Sequence, residues 1–154
     1  MPQGFQERMF RQVNSTFADK LQPRGRRRGI VIATLVSALV IGLAIDAGSD
    51  RVAFMALAAV PFWLCALLLN LSLRGIFELG EERLDEHQVA IRNNAYKRAY
   101  GFTLVFLVIV VTVAAGADLG RSANFAVAAV AFLVSALAPR LIAAWTLEDP
   151  DDGE

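Results

Sequence analysis

Four runs of apolar residues, at 30–47, 52–73, 102–117 and 123–147, decide what this chain can fold into. Roughly 17–25 apolar residues, at about 1.5 Å each, carry a helix across a hydrocarbon core about 30 Å thick. The first two runs meet that length, and the third meets it with Tyr100 and Gly101 at the interface, a normal position for tyrosine. The fourth continues past Arg140 to Leu147. Inside lipid every backbone N–H and C=O must be satisfied within its own segment, so the runs are predicted to be helices. A hydrophobic fraction of 56% and a mean hydropathy of +0.48 over 154 residues exceed what an ordinary soluble domain carries. The expected fold is therefore all-α: a four-helix membrane bundle.

The connections set the topology. Gly48-Ser49-Asp50-Arg51 and Asp118-Leu119-Gly120-Arg121-Ser122 are long enough only to reverse the chain, which predicts two antiparallel hairpins. The net charge is zero, but residues 1–28 hold Arg8, Arg11, Lys20, Arg24, Arg26, Arg27 and Arg28 against two acids. Residues 74–100 add Arg74, Arg83, Arg92, Lys97 and Arg98, whereas each short turn has one arginine. Positive charge is retained on the cytoplasmic side, so both termini and the central segment are expected in the cytoplasm of a bacterial cell (inner) membrane. The resulting division is 1–28, an amphipathic N-terminal segment; 29–73, the first hairpin; 74–100, a charged cytoplasmic helix; 101–147, the second hairpin; and 148–154, an acidic tail. A secretory signal is the alternative for the first run. Its apolar stretch is long and lacks a small-residue cleavage site, which favours a membrane anchor.

The two hairpins share sequence. At an offset of seventy residues ALAAVPFWLCALL (56–68) lies over AVAAVAFLVSALA (126–138), with Ala56, Ala58, Ala59, Val60, Phe62, Ala66 and Leu67 identical. Arg27-Arg28 and Lys97-Arg98 match at the same offset, and both turns contain Asp-x-Gly. An internal duplication is the expectation, although Ala/Val/Leu-rich helices also align by composition alone.

The segments outside the apolar runs are patterned. Phe5, Met9, Val13, Phe17 and Leu21 recur every four residues, predicting an amphipathic helix in the inner interface, with packing on a partner as the rival. Residues 78–100 read as a second helix, acids first and bases last, matching the helix dipole. Leu84, Gln88, Ile91 and Ala95 trace one side of it, with Glu86, Arg92 and Tyr96 beside them. These seven are the candidate partner contacts. Unbroken, the helix would stand off the membrane; bent at Gly101, it would lie along the surface. The stretch LDEHQVAIRNNAYKRAY resembles the cytoplasmic segment of small multi-pass membrane proteins of actinobacteria, through Leu84, Asp85, Glu86, Gln88, Arg92, Ala95 and Tyr96. It departs at His87, where such segments commonly carry arginine. The resemblance implies a multi-pass membrane protein and no particular activity.

Chemistry is sparse. The middles of all four runs lack Asp, Glu, Lys, Arg and His, the residues that mark transport paths and proton relays. Arg140 is read as a snorkelling anchor, grouped at the interface with Arg26, Arg27, Arg28, Tyr100 and Trp145. Asp46, Asp50 and Asp118 suit turns and helix ends better than a cation site. Cys65 is the single cysteine and His87 the single histidine, so a disulfide is excluded and no metal-ligand spacing exists. Pro61 should kink the second run. Small residues four apart, such as Ala33/Ser37, Ala38/Gly42, Thr112/Gly116 and Ala131/Ser135, permit close helix approach. No catalytic set and no cofactor or metal site is expected. Nucleic-acid binding is disfavoured, because the basic cluster abuts an apolar run without interleaved aromatics. The expected partners are the bilayer and a second protein or a second copy. The expected function is that of a non-catalytic accessory or assembly subunit. A small homo-oligomeric transporter or channel is the alternative, favoured if Asn70, Thr103 and Thr112 share a cavity.

Overall fold

The computed structural model describes residues 20–47, 52–73, 76–77, 84, 86–117 and 119–147. The expected amphipathic segment before residue 20, the acidic tail and most of 78–85 lie outside them. Within them the fold is all-α: α1 (Arg24–Asp46), α2 (Val52–Ser72), α3 (Glu86–Gly116) and α4 (Arg121–Thr146). Each helix contains one of the apolar runs, with ends within a few residues of those read from composition, apart from the long N-terminal extension of α3. Three of them, α1, α3 and α4, are long and apolar enough to cross a membrane; the apolar stretch of α2, Ala56–Ser72, is shorter. α2 continues through Pro61 and α4 through Pro139 without a break in the helix.

α4 is the centre of the packing. It runs against α1 and α3 and touches α2 lightly, while α1 also packs along α2. α2 and α3 do not pack along one another, so the four helices do not close into a ring. The core joins Val31 and Ala38 of α1, Phe62 and Leu69 of α2, Ala95 of α3, and Leu137, Leu141, Ala143 and Ala144 of α4, with Leu73 just past α2. Most of these residues lie toward the end where α1 begins and α4 finishes, so the helices are drawn together there.

The α1–α4 seam is built from small side chains. Thr34, Ser37, Ala38 and Gly42 of α1 are buried, as are Ala126, Ala131 and Ala138 of α4. A Cβ at Gly42 would meet Val130 Cγ2 at 2.6 Å, a separation that real Cβ atoms do not tolerate. Glycine at 42 is therefore what makes room for the Val130 methyl in this seam. Of the small-residue pairs, Ala38/Gly42 and Ala131 enter the seam, whereas Thr112 and Gly116 are exposed. The hydroxyls are satisfied locally: Thr34 donates to the Ile30 carbonyl at 2.8 Å and Ser37 to that of Ala33 at 2.7 Å. Such back-bonding lets a polar side chain sit in an apolar seam without a desolvation penalty.

The residues shared at the seventy-residue offset occupy unlike surroundings. Phe62 is 3% exposed and Phe132 71%; Leu67 is 52% exposed and Leu137 9%. Ala56 is exposed where Ala126 is buried. Likeness of sequence between α2 and α4 is thus not likeness of packing.

Candidate functional site

Two polar clamps hold α1 antiparallel to α4, one at each end. At the first, α1 opens after Pro23 with an arginine-rich turn and no acid, a charge pattern that opposes its own helix dipole. Those cations are used by the neighbouring helix. The Arg27 side chain is 4% exposed, and its Nη2 donates to the Leu147 carbonyl oxygen at 2.8 Å. Leu147 is the extended residue that ends α4, so Arg27 caps that terminus with a positive charge where the dipole favours one. Next to it, the Arg28 guanidinium lies 4.8 Å from the centroid of the Trp145 ring, a cation–π contact. At the other end, Ser122 Oγ donates to Asp46 Oδ1 at 3.1 Å, which brings a carboxylate to the N-terminus of α4. Arg28 and Asp46 are eighteen residues apart on one helix, about 27 Å, close to the thickness of a bilayer core.

The residues grouped as interface anchors therefore divide. Arg26 is exposed, with Nη1 donating to the Lys20 carbonyl, while Arg27 is buried and structural. Arg28 and Trp145 pair with one another, and Tyr100 is 70% exposed on α3. Arg140 is half-buried within an unbroken α4.

The candidate partner-contact segment is also redistributed. α3 is continuous from Glu86 through Gly101 to Gly116, thirty-one residues, so the helix is not broken at Gly101. Leu84, expected on the helix, sits in a bend before it. Ala95 is buried in the chain's own core and Ala99 beside it is buried too, so that face is spent on internal packing. Gln88, Ile91 and Arg92 are half-buried. The Tyr96 ring meets Phe77 edge-on at 5.6 Å, which ties the start of α3 to the chain following α2. The outward face is polar: Glu86, His87, Asn93, Asn94, Lys97 and Arg98 are exposed. Of the stripe read as a partner contact, Ala95 is thus buried within the chain, Gln88 and Ile91 are half-buried, and the exposed side is polar.

Beyond Gly101, α3 has little cover. Phe102, Val105, Val108, Ile109 and Val111 are each at least half exposed, and Phe102 stacks on Phe106 at 5.7 Å. Between α1, α3 and α4, at the Asp46 end, lies an open apolar groove of about 510 Å³. Leu39 and Leu43 form one wall, Phe106 and Val110 the other, and Ala123, Ala126, Val127, Val130 and Ala131 the floor, with Asp46 the one charged residue among the described lining. Asn70, Thr103 and Thr112 do not line it. Asn70 is buried on α2, Thr103 is half-buried, and Thr112 donates to the Val108 carbonyl of its own helix. Among the described residues no three His, Cys, Asp or Glu side chains converge as a metal site.

No protein-family model, curated protein or solved structure matches this chain.

Proposed function

We propose that the chain crosses the cell (inner) membrane four times as two hairpins, with both termini in the cytoplasm. There it acts as a non-catalytic accessory or assembly subunit that presents the start of α3 to another protein. One observation carries this reading. At 1.5 Å per residue, unbroken α3 is about 46 Å long, against a hydrocarbon core of about 30 Å. Its apolar part fills the core, and the first three turns extend beyond it with a polar, exposed face held in place by Ala95, Ala99 and the Phe77–Tyr96 contact. A rigid helix fixed to a membrane bundle loses little freedom on docking, which favours its use as a recognition surface. The arginine clamp supports the orientation, because it sets Arg26, Arg27 and Arg28 at the same end as this extension. As a fourth span, α2 would need its first turn in the membrane as well as Ala56–Ser72.

A second reading, a small homo-oligomeric transporter, draws support from the groove at the Asp46 end. Gentle extraction from the native membrane followed by native mass spectrometry separates the two. The subunit reading expects a stoichiometric complex with another polypeptide, lost on substituting the exposed Asn93, Lys97 and Arg98. A particle made only of this chain would overturn it in favour of the transporter.

A further inference from the structure

From the groove between α1, α3 and α4 we infer a site for a phospholipid with an ethanolamine headgroup, one acyl chain lying in the groove and its ammonium on Asp46. The inference rests on the membrane-spanning reading above. The groove begins at Asp46 and Ala123 and runs to the level of Leu39 and Ala131, about 12 Å along the helix axes. That is the direction an acyl chain takes within one leaflet. Its volume, about 510 Å³, falls within the roughly 300–1,000 Å³ of small-molecule sites, and its walls and floor are wholly aliphatic or aromatic. The groove exists because α1 and α3 each pack on α4 and not along one another, while alanines at 123, 126 and 131 keep the floor low.

Charge complementarity selects the headgroup. Asp46 is exposed at the mouth, held by the Ser122 hydroxyl through Oδ1, which fixes the carboxylate without neutralising it. Arg121, the residue before Ser122, is exposed at the start of α4. A carboxylate at the mouth, with an exposed arginine in the first turn of the helix that forms the floor, suits a zwitterion whose ammonium sits on Asp46. An anionic glycerol headgroup can offer Asp46 hydroxyl donors but no positive charge, and its phosphate is repelled. The arginines at the opposite end of α1 would attract anionic lipid whatever the groove does, so the test has to read position as well as amount.

The full-length protein is reconstituted in vesicles of phosphatidylethanolamine and phosphatidylglycerol. Each lipid in turn carries a diazirine on its acyl chain, and labelled peptides are mapped by mass spectrometry after irradiation. The ethanolamine probe should label segments 39–46, 106–110 and 123–131 roughly fivefold more than the glycerol probe, the size of one interfacial charge contact. Asp46→Asn keeps an acceptor for Ser122 and should remove the preference; Ala123→Phe fills the mouth and should lower groove labelling by both probes. Equal labelling by the two lipids, or a preference that survives Asp46→Asn, overturns the site. So does a groove protected from both probes by a cross-linked second copy. Ile32 and Val36 of α1, exposed and outside the three groove segments, act as the internal control. If they too escape labelling, the membrane-spanning reading itself has failed; if they are labelled and the groove shows no preference, only the lipid site has.

Discussion

α1 and α3 begin alike and end differently. Both are long apolar helices preceded by basic residues, at equivalent positions of the seventy-residue register, yet 33% of the apolar window of α1 is buried against 6% of that of α3. Side-chain size explains the contrast. Where α1 has Thr34, Ser37, Ala38 and Gly42, the matching positions of α3 hold Leu104, Leu107, Val108 and Thr112. Small residues let α1 lie close between two neighbours, while the bulkier row on α3 holds helices apart and faces outward. In lipid there is no hydrophobic force to bring apolar helices together, so close packing and a few polar contacts decide which ones associate. α1 has both. Among the described residues α3 packs chiefly along α4 and keeps a long open apolar flank.

That contrast can be broken by substitution, and reversible unfolding in mixed micelles measures the result. Gly42→Leu should destabilise the fold most, by about 3 kcal/mol, because even a Cβ there collides with Val130. Arg27→Ala should cost about 2 kcal/mol, since it removes a charged hydrogen bond and leaves the end of α4 uncapped; Arg27→Lys should restore part of the loss. Ser122→Ala should cost only about 0.5 kcal/mol, its bond to Asp46 being exposed. Val108→Ala on α3, at the position matching buried Ala38, should change stability by less than about 0.5 kcal/mol. A loss at Val108 comparable to that at Gly42 would show that the flank of α3 is packed in the native particle.

The helices themselves were legible in the sequence, because a lipid-crossing helix must be written as one contiguous apolar run. The run at 52–73 became a helix ending at Ser72, and the one at 30–47 a helix ending at Asp46. Their mutual packing was much less legible. A membrane helix is apolar toward lipid and toward its neighbours alike, so hydrophobic periodicity does not say which face is inside; Phe62 and Phe132 sit in matching sequence with opposite exposure. Spacing of small residues was the one usable signal, and it was ambiguous: Ala38/Gly42 forms the seam, while Thr112/Gly116 has the same spacing on an exposed face. Nor could three consecutive arginines be told apart. Only the end of α4 singles out Arg27 as a cap and Arg28 as the partner of Trp145. On the polar start of α3 the three-and-four spacing picked out Ala95 as a partner contact, and the chain's own core takes it instead.

The four-span reading puts the exposed start of α3 and the arginine end of α1 on the cytoplasmic side and the two short turns outside. Single cysteines at Ala47, Asn93 and Gly120, in a Cys65→Ser background, can be labelled in intact cells with a membrane-impermeant maleimide. The account predicts labelling from outside at positions 47 and 120, and at position 93 only after the cells are opened. Labelling of positions 47 and 93 from the same side would contradict it.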